Sequence, residues 1–183
     1  PQHDHFNYPS SFYDHHPEWR GEDRNGNVTP RLSYAYQGVR RFVIQLLREV
    51  AEFDIDGICM LYNRRPPLLE YEEPVVDGFK SEYGEDPREI DENDPRWLAY
   101  KARVLTEFQR EVRFAMDNEA ERKRRRKIEI SAVVMSSENE NLYNSMNLRT
   151  WIDETLIDTI IPYTSELGLD STRDSWTDPL SVD

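Results

Sequence analysis

The sequence predicts an α/β fold whose parallel strands are arranged in βαβ units. Three short apolar segments, at residues 55–61, 128–135 and 159–163, have the composition of buried strands. They alternate with longer stretches in which apolar residues recur at helical spacing. A helix between two strands returns the chain across the sheet, so successive strands of this kind pair in parallel.

Length and composition favour one sizeable core. The chain has 183 residues, of which 37% are hydrophobic, and one domain is the default at this length. Residues 1–37 are rich in His, Asp, Asn, Pro and aromatic residues without a sustained period, which predicts a loop-rich N-terminal arm. Residues 38–165 are the expected domain, and residues 166–183 a polar tail or the start of a further segment.

Four segments with apolar residues at helical spacing predict helices. The first leads directly into the strand at Ile55, so the two make an αβ unit. Gly84 is expected to end the second helix, because glycine readily adopts the left-handed conformation found after helices. The predicted helices cover residues 37–52, 74–83, 95–118 and 147–156.

A long insertion at residues 62–96 follows the first strand. It is too long for a plain βα turn, and long loops in compact domains are often functional. Residues 70–73 of this insertion read Glu-Tyr-Glu-Glu. Glu70 and Glu72 are therefore candidates for a general acid or for acceptors of ligand hydroxyls, although such a run is more often a solvated face.

Two sequence blocks carry a resemblance to known proteins. Residues 56–58 read Asp-Gly-Ile and are followed by Tyr62, Arg64 and Pro66, while residues 16–19 read His-Pro-Glu-Trp. Both blocks are similar to those of bacterial glycoside-hydrolase-like TIM-barrel proteins, in the same order. The resemblance implies a (β/α)8 barrel. Because a whole barrel needs about 250 residues, we expect a partial TIM barrel with the insertion after its first strand.

The resemblance also implies a carbohydrate site at the carboxyl ends of the strands, where such folds bind ligands. Glu138 follows the second strand and is the best-placed catalytic candidate, with Glu70 and Glu72 as the others. Leu61 stands where the family commonly has an acidic residue. Trp19 is equally suited to stacking on a sugar and to anchoring the arm. The expected carbohydrate-binding residues are Glu18, Trp19, Tyr62, Asn63, Arg64 and Tyr163.

The acidic composition narrows the choice of partners. A net charge of −13 and a pI near 4.8 disfavour a nucleic-acid partner, and the basic run at residues 122–127 is isolated. No apolar run approaches the roughly 18 residues of a membrane span. Without a Gly-rich phosphate loop or a strong metal-binding motif, neither a cofactor nor a metal is expected. Cys59 is expected to be buried inside the first strand.

Three functions are open at this point. The chain is a glycosidase with a rearranged acid pair, a catalytically silent carbohydrate-binding protein, or an interaction module whose sheet edges pair with another subunit, as in a homo-oligomer. The start at Pro1 without an initiator methionine suggests a processed product. An extracytoplasmic or secreted location in a bacterium is the corresponding expectation.

Overall fold

A computed structural model describes residues 10–64 and 66–163 of the chain. The predictions for residues 1–9 and 164–183 lie outside the described residues. In chain order, the elements are α1 (Ser11–His15), a 3₁₀ helix (Pro17–Trp19), β1 (Arg20–Glu22), β2 (Val28–Leu32), α2 (Gln37–Val50), β3 (Gly57–Leu61), α3 (Glu73–Tyr83), α4 (Pro95–Arg122), β4 (Glu129–Val134), α5 (Glu138–Tyr143), α6 (Leu148–Asp153) and β5 (Thr159–Pro162).

The central element is a three-stranded parallel sheet with the strand order β3-β4-β5. Leu61 lies opposite Val133 in the first pair, and Ser131 lies opposite Thr159 in the second. Helices α3 and α4 connect β3 to β4, and helices α5 and α6 connect β4 to β5. The three strands fall within the predicted apolar segments, and both connections are helical.

The predicted partial TIM barrel is wrong. The described residues form a three-stranded parallel sheet and a separate antiparallel pair of β1 and β2, five strands in all, and no eight-stranded barrel. The Asp-Gly-Ile block describes one strand and the loop after it. Many α/β folds share that local unit, so the block could not fix the number or closure of the strands.

Part of the predicted loop-rich arm is regular structure. Strands β1 and β2 pair through Arg20 with Leu32 and Glu22 with Val28. The turn between them is closed by the Asp23 carboxylate, which accepts backbone hydrogen bonds from Asn25 and Asn27, each at 2.8 Å. Sequence patterning missed this hairpin because its strands are short and irregular, and a side-chain turn holds them together.

Helix α4 supplies most of the core against one face of the parallel sheet. Its fully buried residues Leu105, Phe108 and Val112 belong to the same apolar cluster as Ile130 and Ala132 of β4. Burying a large apolar side chain stabilises the fold by about 1.5 to 3 kcal/mol. The helix starts at Pro95 because Asp94 caps it, with a carboxylate oxygen 2.8 Å from the backbone nitrogen of Arg96. Gly84, with φ 72°, ends α3 as predicted.

The other face of the parallel sheet is bare in the described part of the chain. Side chains along β3 alternate, with Ile58 and Met60 buried and Cys59 and Leu61 exposed. The prediction that Cys59 is buried is therefore wrong, since it assumed a strand covered on both faces. Leu61 is 57% exposed, which is unusual because parallel sheets are normally covered on both sides.

The basic run after α4 makes contacts within the chain. The Arg125 guanidinium donates to the carbonyls of Phe53 and Ala51, at 2.7 and 2.9 Å, near the end of α2. The Lys127 ammonium lies 2.5 Å from a carboxylate oxygen of Asp158, just before β5. These cations satisfy carbonyl and carboxylate groups where the chain enters the sheet, ahead of β3 and β5, which is a structural role.

Candidate functional site

The carboxyl ends of the three parallel strands lie at one edge of their sheet. The loop after β3 is fixed there, because the Tyr62 and Asn63 backbone nitrogens donate to the Val133 carbonyl at 2.9 and 3.2 Å. After β5, the Tyr163 nitrogen donates to the Val134 carbonyl at 3.0 Å. The loop that follows β3 and the helix that follows β4 therefore both begin at the edge where the sequence predicted a site.

Of the predicted binding residues directly after β3, Arg64 is exposed and Tyr62 is buried. The Tyr62 hydroxyl donates to the Gln109 side chain of α4, and burial raises the pKa of this tyrosine well above its usual value. Tyr62 therefore lies in the core, with its hydroxyl bonded to Gln109. Asn63 is half-buried, and its side-chain oxygen accepts no hydrogen bond from the described residues.

Glu138 is held in an ion pair at the surface. It is the first residue of α5, and its carboxylate accepts two hydrogen bonds from the Arg149 guanidinium. The hydrogen bonds to Arg149 lower the pKa of Glu138. A carboxylate stabilised in its ionised form is a poor proton donor, so the structure does not support Glu138 as a general acid.

Glu18 and Trp19 contact the N-terminal arm and α2. The Trp19 ring stacks on His16 with centroids 3.8 Å apart, and Gly38 of α2 lies directly against it. Glu18 is exposed and lies 3.0 Å from the His16 Nδ1 atom. The anchoring interpretation of Trp19 therefore fits the structure better than the sugar-stacking one, because its ring is used to dock the arm.

Glu70 and Glu72 share one loop but lie in different environments. Glu72 is 1% exposed, and its carboxylate accepts the Glu70 backbone N–H at 2.8 Å and a hydrogen bond from the Ser33 hydroxyl. Burial raises the pKa of Glu72 despite these hydrogen bonds. Glu70 is ion-paired with Arg31 of β2. The Glu70 backbone and the Glu72 carboxylate are thus joined in the loop after β3.

The sequence reasoning missed Lys101, a buried cation in the second turn of α4. Its side chain is 5% exposed, and its Nζ atom donates one long hydrogen bond, 3.5 Å, to the Tyr143 carbonyl. Nζ also lies 5.4 Å from the ring centroid of Trp97 and 5.5 Å from that of Tyr143. Burial lowers the pKa of Lys101 to about 8, an effect opposed by the nearby Glu72, Glu70 and Glu92 carboxylates.

Two aromatic rings, from α4 and α5, lie near Lys101, and a third ring packs on one of them. Tyr71 of the loop after β3 packs on Trp97 of α4, with ring centroids 5.1 Å apart, and Tyr143 ends α5. The Tyr71 hydroxyl and the Trp97 indole nitrogen are buried and face each other. We call Tyr71, Trp97, Lys101 and Tyr143 the Lys101 cluster. Glu70 and Glu72 flank it through their charges on Lys101.

The structure thus brings two predicted site residues, Glu70 and Glu72, beside the Lys101 cluster. Tyr163 is 42% exposed after β5, and Arg64 is exposed after β3. A signal for Lys101 was present in the sequence. It lies four residues after Trp97 and four before Leu105, so it falls on the apolar stripe of α4, where a lysine is rarely buried without a reason.

No protein-family model matches the chain, and no curated protein matches it either. Within residues 10–64 and 66–163, no three His, Cys, Asp or Glu side chains are grouped as a metal site would require. Over the same residues, none of the helices combines the length and apolar character needed to cross a bilayer. The functional proposal therefore depends on the geometry above and on the sequence resemblance.

Proposed function

We propose that the chain binds a carbohydrate at the carboxyl end of its parallel sheet, at the Lys101 cluster. The observation that carries this proposal is the meeting of three aromatic residues from separate segments with a buried ammonium group. Aromatic rings pack against the C–H faces of a sugar, while charged groups bind its hydroxyls. A few polar groups among aromatic walls are typical of small-molecule sites.

A ligand would reach the cluster from its solvent-exposed side, at Tyr143. Tyr143 is 39% exposed, whereas Trp97 of the same cluster is fully buried. The Glu70–Arg31 ion pair lies beside the cluster and is partly accessible, with side chains that are 19% and 18% exposed. The resemblance to glycoside-hydrolase-like proteins supports the same ligand class, because their sites also lie at the carboxyl ends of strands.

Isothermal titration calorimetry with a panel of oligosaccharides tests this proposal. Replacing Tyr143 with Ala removes the accessible ring, and we expect affinity to fall by about tenfold. The matched control is Phe114→Ala, which removes an exposed ring from the surface of α4 outside the cluster. Equal affinity of both variants and the parent chain, or no binding of any glycan, would count against the proposal.

Hydrolysis is the second candidate function. Burial raises the pKa of Glu72, which favours it as a proton donor, and Glu70 beside it is ion-paired with Arg31, so the loop holds two carboxyl groups in different environments, as acid-assisted glycoside cleavage requires. Release of nitrophenol from aryl glycosides tests it, with Glu72→Gln and Glu70→Gln expected to abolish turnover. The near-complete burial of Glu72 favours binding without turnover, and Glu138→Gln serves as the comparison because Glu138 lies in a surface ion pair.

A further inference from the structure

We propose that two copies of the chain associate through the free edge of β3, with their β3 strands paired antiparallel about a twofold axis at Cys59. The partner is a second copy of this chain, and the proposal does not depend on the carbohydrate-binding function. Strand β3 lies at one edge of the parallel sheet, since among the described residues it pairs with β4 alone. An unpaired edge strand is a ready template for pairing with another chain.

The backbone of β3 has amide groups available at this edge. The Asp56 carbonyl, at the start of the strand, accepts the Glu129 N–H of β4 at 3.0 Å, so the even-numbered residues direct their N–H and C=O groups toward β4. The odd-numbered residues direct theirs the other way, where no other described strand lies. These outward-directed residues are all exposed: Gly57, Cys59 and Leu61.

Strand β3 lacks the features that usually keep an edge strand from pairing. Proteins protect such edges with charged residues, with proline or by making the strand very short. The sequence of β3, Gly-Ile-Cys-Met-Leu, contains neither a charge nor a proline. The opposite edge strand, β5, has four residues and ends in Pro162. Of the two edges of this sheet, the β3 edge is therefore the one that favours association.

A twofold axis at Cys59 makes the register of the strand pair self-complementary. Cys59 then lies opposite Cys59 of the second copy, in a pair that exchanges both backbone hydrogen bonds, and Leu61 lies opposite Gly57. The Leu61 side chain is 57% exposed. It has room to lie across the second copy because Gly57 has no side chain, and the contact removes apolar surface from water.

The charges at the two ends of β3 complement each other in this register. Asp54 precedes the strand and Arg64 follows it, at equal distances in sequence from Cys59. Antiparallel pairing brings Asp54 of one copy to the strand end from which Arg64 of the other emerges. Both residues are exposed, and neither has an ion-pair partner among the described residues. Two intermolecular ion pairs therefore flank the paired strands.

The net charge of −13 opposes self-association, but this repulsion acts mainly over long distances. At about 0.15 M salt, exposed charges more than about 8 Å apart are largely screened. The facing Asp54 and Arg64 charges are closer than most of the repelling ones, so they keep more of their attraction. The association is therefore best measured at this ionic strength.

Sedimentation velocity over a series of protein concentrations tests the proposal. Small interfaces are weak, and we expect a dimer with a dissociation constant on the order of 10 μM. Leu61→Lys places a charge on the free edge and should weaken the dimer at least about tenfold. The matched control is Ile161→Lys, at an apolar residue of β5 that is 41% exposed in the same row across the sheet, and it should leave the dimer unchanged. Circular dichroism checks that both variants fold.

Charge exchange and cross-linking test the register. Arg64→Asp alone sets like charges against each other and should weaken the dimer severalfold, whereas Arg64→Asp combined with Asp54→Arg should restore it. A short bis-maleimide should join the Cys59 thiols of two copies, because paired Cα atoms of this kind are about 5.5 Å apart. The same reagent should give little covalent dimer with the Leu61→Lys chain.

A chain that stays monomeric at about 100 μM overturns the proposal, since the expected dimer would then be the main species. A dimer that survives Leu61→Lys but dissociates with Ile161→Lys also overturns it, because the contact then involves β5. Failure of the combined charge exchange to restore the dimer, or of Cys59 to be cross-linked, overturns the twofold register at Cys59.

Discussion

At the scale of single residues, the buried amine of Lys101 destabilises the fold but is suited to binding a ligand. It occupies an apolar position of α4 between Trp97 and Leu105, and the fold keeps its amine buried at the cost of a pKa lowered to about 8. Groups that destabilise a fold in this way are concentrated at functional sites. The structure therefore points to Lys101 more strongly than to the carboxylate Glu138, which satisfies its charge at the surface.

We predict that Lys101→Met stabilises the chain at pH 7. The folded chain holds the Lys101 proton less tightly than the unfolded chain, since the pKa falls from 10.5 to about 8 on folding. The cost of the charged amine is complete below pH 8 and disappears as the pH rises toward 10.5. Urea denaturation should show a gain of about 1 to 3 kcal/mol at pH 7 that shrinks at pH 10.

The control for this measurement is Lys80→Met, at a lysine that is 42% exposed and paired with Asp86. Its effect should be small at both pH values. The groups facing Lys101 include Glu70, Glu72 and Tyr143, and burial raises the pKa of the last two. Tyr71 belongs to the same cluster, and Glu92 acts on Lys101 through its charge. Each variant is therefore compared with the parent chain at the same pH. If the gain in the free energy of unfolding from Lys101→Met stays constant from pH 7 to pH 10, the charge of Lys101 is not its cause.

At the scale of elements, the N-terminal arm packs closely on α2 at Trp19. A Cβ atom at Gly38, in the first turn of α2, would overlap the Trp19 ring. The Trp19 carbonyl accepts the Ser33 backbone N–H at 2.9 Å, so the same contact fixes the chain after the β1-β2 hairpin. Glycine at this position is required by the approach of the ring, not by backbone conformation.

We predict that Gly38→Ala releases Trp19 from α2. The new methyl group overlaps the ring, so the arm must shift, which we expect to lower the free energy of unfolding by about 1 to 3 kcal/mol. Tryptophan fluorescence should move to the red, and urea denaturation measures the loss. Arg41→Ala, at an exposed position of the same helix, is the control and should change stability by less than about 0.5 kcal/mol. An unchanged fluorescence spectrum of Gly38→Ala would show that the Trp19 ring keeps its place on α2 without glycine at position 38.

At the scale of the whole molecule, α4 joins the sheet, the core and the site. Its buried stripe places Phe108 against the sheet and Lys101 near the start of the helix. Its outer surface carries Phe114. Periodicity alone predicted this helix and the three parallel strands, because long amphipathic segments and apolar runs are strong local signals. Such signals do not specify how many strands close a sheet, which is why the barrel prediction failed.

The candidate site was harder to predict than the fold. Position after a strand suggested Tyr62 as a ligand-binding residue, yet it lies two residues after Met60 and four after Ile58, which places it on the buried face. Glu70 and Glu72 were chosen for their charge, and the sequence could not show that they lie beside Lys101. That proximity brings a loop of the insertion against helix α4, which no local pattern encodes.

We predict that Phe108→Ala destabilises the whole domain. Phe108 is fully buried against Tyr34 and the sheet, so its removal leaves a cavity and should cost about 3 to 5 kcal/mol. Phe114→Ala, six residues later on the same helix, removes a side chain that is 68% exposed and should cost less than about 0.5 kcal/mol. Thermal unfolding of both variants measures the difference, and similar melting temperatures would contradict the assigned core.

The outward position of Cys59 makes the bare sheet face experimentally addressable. It is the only cysteine in the sequence, and it lies exposed on the central part of β3. A fluorophore or spin label coupled to its thiol would attach at one defined point without entering the core. Such a reporter would sense any molecule that settles on Leu61 and its neighbours, while the Lys101 cluster remained chemically untouched.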